Sequence, residues 1–79
     1  MSAKVNKMSA KEYQAAIDKL ELSQRRSGKL LGVNERSVRR WVEGSRPVPP
    51  FAARFLRYLI ATKKSGEKAI AILEKLEAD

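Results

Sequence analysis

Apolar residues recur along the chain at three- and four-residue spacings, and no stretch carries the alternation of a strand. Tyr13, Ala16, Ile17 and Leu20 stand at i, i+3, i+4 and i+7, the buried stripe of an amphipathic helix. Ser9 and Glu12 form an S-x-x-E capping box in front of it, which predicts a first helix over 9–20. Leu22 plugs into the core from the connection, and Ser23 suits the N-cap of a second helix, Gln24–Leu31. Gly32 follows two leucines, where a helix end needs a residue tolerant of positive φ. Asn34 then caps a third helix, Glu35–Glu43, with Val33 and Val38 placed as a hydrophobic staple. Gly44 ends that helix. Residues 44–50 hold all three prolines and predict a rigid loop, with Pro50 at the first position of a fourth helix reaching about residue 62. Ala52, Phe55, Leu56, Leu59 and Ile60 make its stripe, with Phe51 at the entry. Residues 63–66 stop it, and a fifth helix over 67–77 spreads Ala69, Ile70, Ile72, Leu73 and Leu76 over a broad apolar face. The pattern predicts an all-α fold of about five short helices around one core. It divides into a mobile basic arm (1–8), a central unit (9–64) and a C-terminal helix (65–79) that caps the core or meets a second copy.

The third helix carries two stripes. Val38, Trp41 and Val42 make the apolar one. Arg36, Arg39, Arg40 and Glu43 fall nearly opposite at about 100° per residue. Trp41 shares the face of Val38 and so anchors the helix in the core. Gly28, four residues before Gly32, leaves room for the third helix to cross closely over the second. A helix anchored on one side and arginine-rich on the other suits a DNA major groove, which is about 12 Å wide.

Charge strengthens that reading. The chain has 17 Lys and Arg against 9 Asp and Glu, a net charge of +8, which favours an anionic partner. Residues 1–64 hold 15 against 5, or +10; residues 65–79 hold 2 against 4, or −2. The basic part is the part with the two helices and their turn. The N-terminus of the second helix, capped by Ser23, offers free N–H groups to a phosphate. Arg25, Arg26 and Lys29 lie on or near that helix, and Arg46 sits in the stiff loop. Lys4 and Lys7 of the arm and Arg54 on the fourth helix are weaker candidates, better read as a frayed terminus and a solvated side chain.

The spacing Gln24, Gly28, Gly32, Val38, Trp41 resembles the helix-turn-helix of the phage-repressor family (lambda repressor and Cro, also called the XRE family). The run Trp41, Gly44, Arg46, Pro47 resembles its continuation in small bacterial members. The likeness covers roughly residues 10 to 62. It implies a sequence-specific transcriptional regulator of double-stranded DNA, most often a repressor, acting as a homodimer on an inverted repeat in the cytoplasm. It also implies that Glu35, Arg36, Arg39 and Arg40 read bases, since arginine pairs with guanine O6 and N7 and glutamate accepts from cytosine N4. Ser23, Gln24, Arg25, Arg26, Ser37 and Arg46 are then expected on the phosphates. Ile72 and Leu76 are the expected dimer contacts.

Other classes fit less well. There is no cysteine and no histidine, so a zinc site of the usual kind and a histidine-based nucleophile are excluded, and neither a metal nor a cofactor is expected. No apolar run has the 18 residues of a membrane span, the N-terminus lacks a signal-peptide core, and no effector domain for a small molecule is evident. The rival reading is a protein-interaction module that uses the C-terminal helix as its working surface. Single-strand binding has only Tyr58 as an exposed stacking platform.

Overall fold

The computed structural model describes residues 7–77. Five helices follow one another: α1 (Ala10–Lys19), α2 (Gln24–Leu31), α3 (Glu35–Glu43), α4 (Pro50–Ala61) and α5 (Gly66–Glu77). Every described residue outside them lies in a turn, a bend or irregular chain.

The local signals act as their chemistry requires. Ser9 Oγ accepts from Glu12 N at 3.1 Å while Glu12 Oε1 accepts from Ser9 N at 2.8 Å, closing the capping box. Ser23 and Asn34 accept from Arg26 N and Ser37 N, at 3.1 and 3.0 Å. Pro50 occupies the first turn of α4, where the missing N–H is no loss. Gly32 and Gly44 take φ of 75° and 85° as α2 and α3 end.

The ends of α1 and α4 close without glycine. Glu21 and Lys63 adopt φ of 60° and 59°. After α1, Leu22 N donates to Ile17 O and Glu21 N to Asp18 O. After α4, Lys64 N donates to Leu59 O and Lys63 N to Ile60 O. Both are Schellman closures with a charged residue at the left-handed position.

Gly66 is not part of the stop after α4, as its sequence setting suggested, but opens α5. Ser65 caps it, its Oγ accepting from Lys68 N at 3.3 Å. Gly66 is buried, and a Cβ there would lie 2.6 Å from Leu22 Cγ and 2.9 Å from Leu20 O. The missing side chain is what lets α5 start against the α1–α2 connection.

One core joins all five helices: Tyr13, Ala16 and Ile17 of α1, Leu30 of α2, Val38 and Trp41 of α3, Ala52, Ala53, Leu56 and Leu59 of α4, and Ala69 and Ile70 of α5. Leu22 fills in from the connection as expected. Val48, between Pro47 and Pro49, also enters the core and pins the loop. Phe55 and Ile60 only flank it, and Ala53 takes a central place instead. Of the expected N-terminal arm, Lys4 lies outside the described residues. Lys7 O accepts from Arg57 Nη2 at 2.6 Å, and Met8 packs against the core.

Candidate nucleic-acid interface

The position of α3 is set from beneath. Val38 is fully buried and Trp41 nearly so. The Trp41 ring meets Tyr13 edge to face, with centroids 5.6 Å apart and planes at 75°, a favoured aromatic geometry. A Cβ on Gly28 would stand 3.1 Å from Val33 O and 3.4 Å from a Val38 methyl. The α2–α3 turn thus uses the close approach that the glycine spacing suggested.

Tyr13 also fixes α2. Its hydroxyl is 2.7 Å from Ser27 Oγ, and Ser27 Oγ donates to Gln24 O at 2.7 Å. Ser27 is the one buried polar side chain of the core among the described residues. Sequence reasoning passed over it, although its spacing to Leu30 and Leu31 places a serine in an apolar stripe. Burial raises the Tyr13 phenol above the ordinary tyrosine pKa, and the Ser27 hydrogen bond offsets this only in part.

With Val38 and Trp41 inward, Glu35, Arg36, Arg39, Arg40 and Glu43 are all exposed on α3. Arg39 and Glu35 form an i, i+4 pair at 3.9 Å with both side chains at least half exposed, a contact too weak to hold either in place. Arg36, Arg40 and Arg46 make no ion pair among the described residues. Ser37 is half-buried at the edge of α3.

The expected phosphate-contacting residues of α2 divide. Arg25 is exposed. Ser23 uses its oxygen as a cap and keeps a hydroxyl proton to donate. Gln24 Nε2 donates to Gln14 Oε1 at 3.4 Å, bracing α2 against α1. Arg26 is engaged elsewhere: Nε and Nη2 donate to Glu67 Oε2 and Oε1 at 3.0 and 2.7 Å. That fork holds the Glu67 carboxyl below the usual carboxylate range. Lys29 stands 3.8 Å from Glu74. The acidic flank of α5 therefore neutralises one side of α2, while the cations of α3 and its following loop stay open.

At roughly 100° per residue, Ile72 and Leu76 lie on the flank of α5 opposite Glu67 and Glu74. They are 54% and 74% exposed, and Phe51 is 53% exposed at the start of α4. No helix among the described residues is long and apolar enough to cross a membrane. Set beside known protein families, curated proteins and solved structures, the chain matches none of them.

Proposed function

We propose that the protein is a sequence-specific double-stranded-DNA-binding regulator of the lambda-repressor-like, helix-turn-helix kind, acting as a repressor in the cytoplasm. The observation that carries this reading is the build of α3. Its inner face is locked on Tyr13 by Trp41, and its outer face presents Arg36, Arg39 and Arg40 with no firm protein partner. A rigid helix carrying free guanidinium forks is what major-groove recognition requires, because Arg pairs bidentately with guanine. In this reading α3 enters the groove and α2 lies across the backbone, with Ser23 and Arg25 towards phosphates. Arg26, tied to Glu67, supports α5 instead.

Two copies would face half-sites about 10–10.5 base pairs apart, or a multiple of that, and exclude polymerase by occupancy. The exposed Ile72 and Leu76 favour α5 as the meeting surface. The same surface supports a second reading, an interaction module that works through α5 and leaves the arginines solvated.

Salt titration separates the two. With about five phosphates neutralised, log K for duplex should fall with log salt at a slope of roughly −4 to −5. A partner held by the apolar flank of α5 should show almost no slope. A flat salt response, or no duplex binding at low salt, overturns the DNA reading.

A further inference from the structure

We propose that Ser37, Arg40 and Arg46 form a seat for one phosphate group, the phosphodiester at the rim of the groove. Arg40 then grips backbone, and base reading is left to Arg36 and Arg39. This rests on the DNA reading above and assigns a separate task to one residue of the α3 face.

The geometry begins with the end of α3. Arg40 O accepts from both Ser45 N at 3.0 Å and Arg46 N at 3.3 Å. The loop therefore folds back onto the residue that carries the Arg40 guanidinium, and the backbones of Arg40 and Arg46 are neighbours whatever their side chains do. Buried Val48 anchors the loop further along, and the flanking prolines stiffen it, so Arg46 is held near α3. Between helix and loop lies a cleft of about 180 Å³ lined by Ser37, Arg40, Trp41, Arg46, Pro47 and Pro49.

The chemistry of that lining is one-sided. Its lining residues include two arginines and a serine, and no aspartate or glutamate. Neither arginine has an ion-pair partner among the described residues. Two arginines whose backbones are neighbours can close together on one anion, and a tetrahedral phosphate suits two forks and a hydroxyl.

The helical wheel points the same way. Arg40 stands about 60° from Ser37 around α3, on the edge that borders the loop, whereas Arg39 stands about 160° from Ser37 on the other edge. Arg36 lies between them, opposite the core. The arginines at the centre and the far edge are free of the loop; Arg40 is not.

The test is a double-mutant cycle on the full chain. Duplex affinity and sequence preference are measured for the wild type, Arg40→Ala, Arg46→Ala and the double variant, with circular dichroism confirming the fold. The seat predicts that each single variant loses a similar factor on every duplex, keeps its sequence preference, and lowers the salt slope by about 1 in magnitude. Because both arginines hold one phosphate, the double variant should lose far less than the product of the single losses.

A scan of single neutral methylphosphonates along the duplex should find one position in each half-site that weakens the wild type but not the double variant. Multiplicative losses would overturn the seat. So would Arg40→Ala relaxing preference at one base pair while Arg46→Ala does not. Inorganic phosphate distinguishes the source: if it shifts the Arg40 and Arg46 side-chain resonances and duplex does not, the occupant is free phosphate and the backbone assignment falls. If the wild type prefers no sequence, the regulator reading fails, while coupling between the two arginines on an arbitrary duplex still decides the seat.

Discussion

The Tyr13 hydroxyl and Ser27 Oγ meet at 2.7 Å inside the core, and the serine proton is spent on Gln24 O, also at 2.7 Å. Tyr13 must therefore be the donor to Ser27. The two ends of this bond are not equivalent. Ser27→Ala strands a buried phenol and should cost about 1–3 kcal/mol, whereas Tyr13→Phe leaves Ser27 its Gln24 bond and should cost about 0.5–1.5 kcal/mol. Urea unfolding of both variants checks the order. Equal losses would mean that the phenol finds another partner.

The same phenol gives a pH signature. Burial, the larger cause, raises the folded-state pKa of Tyr13 above its unfolded value. Its contribution is fully present below the ordinary tyrosine value of about 10, and it is lost as pH rises through the raised folded value. The stability difference between wild type and Tyr13→Phe should therefore shift against the wild type above about pH 10 and be constant below it. A pH-independent difference across that range would contradict the linkage.

Gly66 should not tolerate a side chain. A Cβ would press on Leu22 and on the backbone carbonyl of Leu20, which cannot rotate away. Overpacking of this kind costs about 1–3 kcal/mol and outweighs the better helix propensity of alanine. Gly66→Ala should lower Tm by several degrees, at roughly 4–8 °C per kcal/mol for a domain of this size. An unchanged Tm would show that α5 can slide.

Glu21 and Lys63 offer the opposite case. Both hold a left-handed backbone that glycine adopts without penalty. Glu21→Gly and Lys63→Gly remove that strain, partly offset by the greater freedom of the unfolded chain. Each should raise stability by up to about 1 kcal/mol. Thermal melts of the two variants check this, and a loss at either site would mean that its side chain makes a contact worth more than the strain.

The Arg26 fork, chiefly by hydrogen bonding, lowers the folded-state pKa of Glu67. The contribution of Glu67 is present above its unfolded pKa and is lost as pH falls through the lowered folded value. Glu67→Gln should be less stable than the wild type at neutral pH and low salt. The difference should shrink in acid and in high salt, because both groups are exposed. An acid-insensitive difference would assign the effect to packing of the side chain instead.

Much of this architecture was legible in the chain because it rests on local chemistry. The Ser9, Ser23 and Asn34 caps, the turns at Gly32 and Gly44, and Pro50 at the start of α4 each need only their neighbours in sequence. Trp41 was legible as a core residue from its spacing to Val38. What escaped depends on contacts made across the fold. Gly66 looked like a helix stop because its meeting with Leu22 joins positions 44 residues apart. Glu21 and Lys63 give no sequence signal for a left-handed turn, since neither residue type favours it. The pairing of Arg26 with Glu67 joins residues far apart in the chain and has no local signal in the sequence. Ser37, Arg40 and Arg46 were recognised singly, but their convergence on one cleft follows from the loop folding back onto Arg40 O.

The most direct test of the central claim is selection from random duplexes at about 150 mM salt, where non-specific binding is weakened, using the wild type beside Arg36→Ala and Arg39→Ala. An α3 that reads bases predicts an enriched inverted repeat with guanines in each half-site, and relaxed preference at one base pair for each variant, a loss of about 1–3 kcal/mol on the selected site. No enrichment by the wild type, or an enriched sequence that both variants select unchanged, would contradict it.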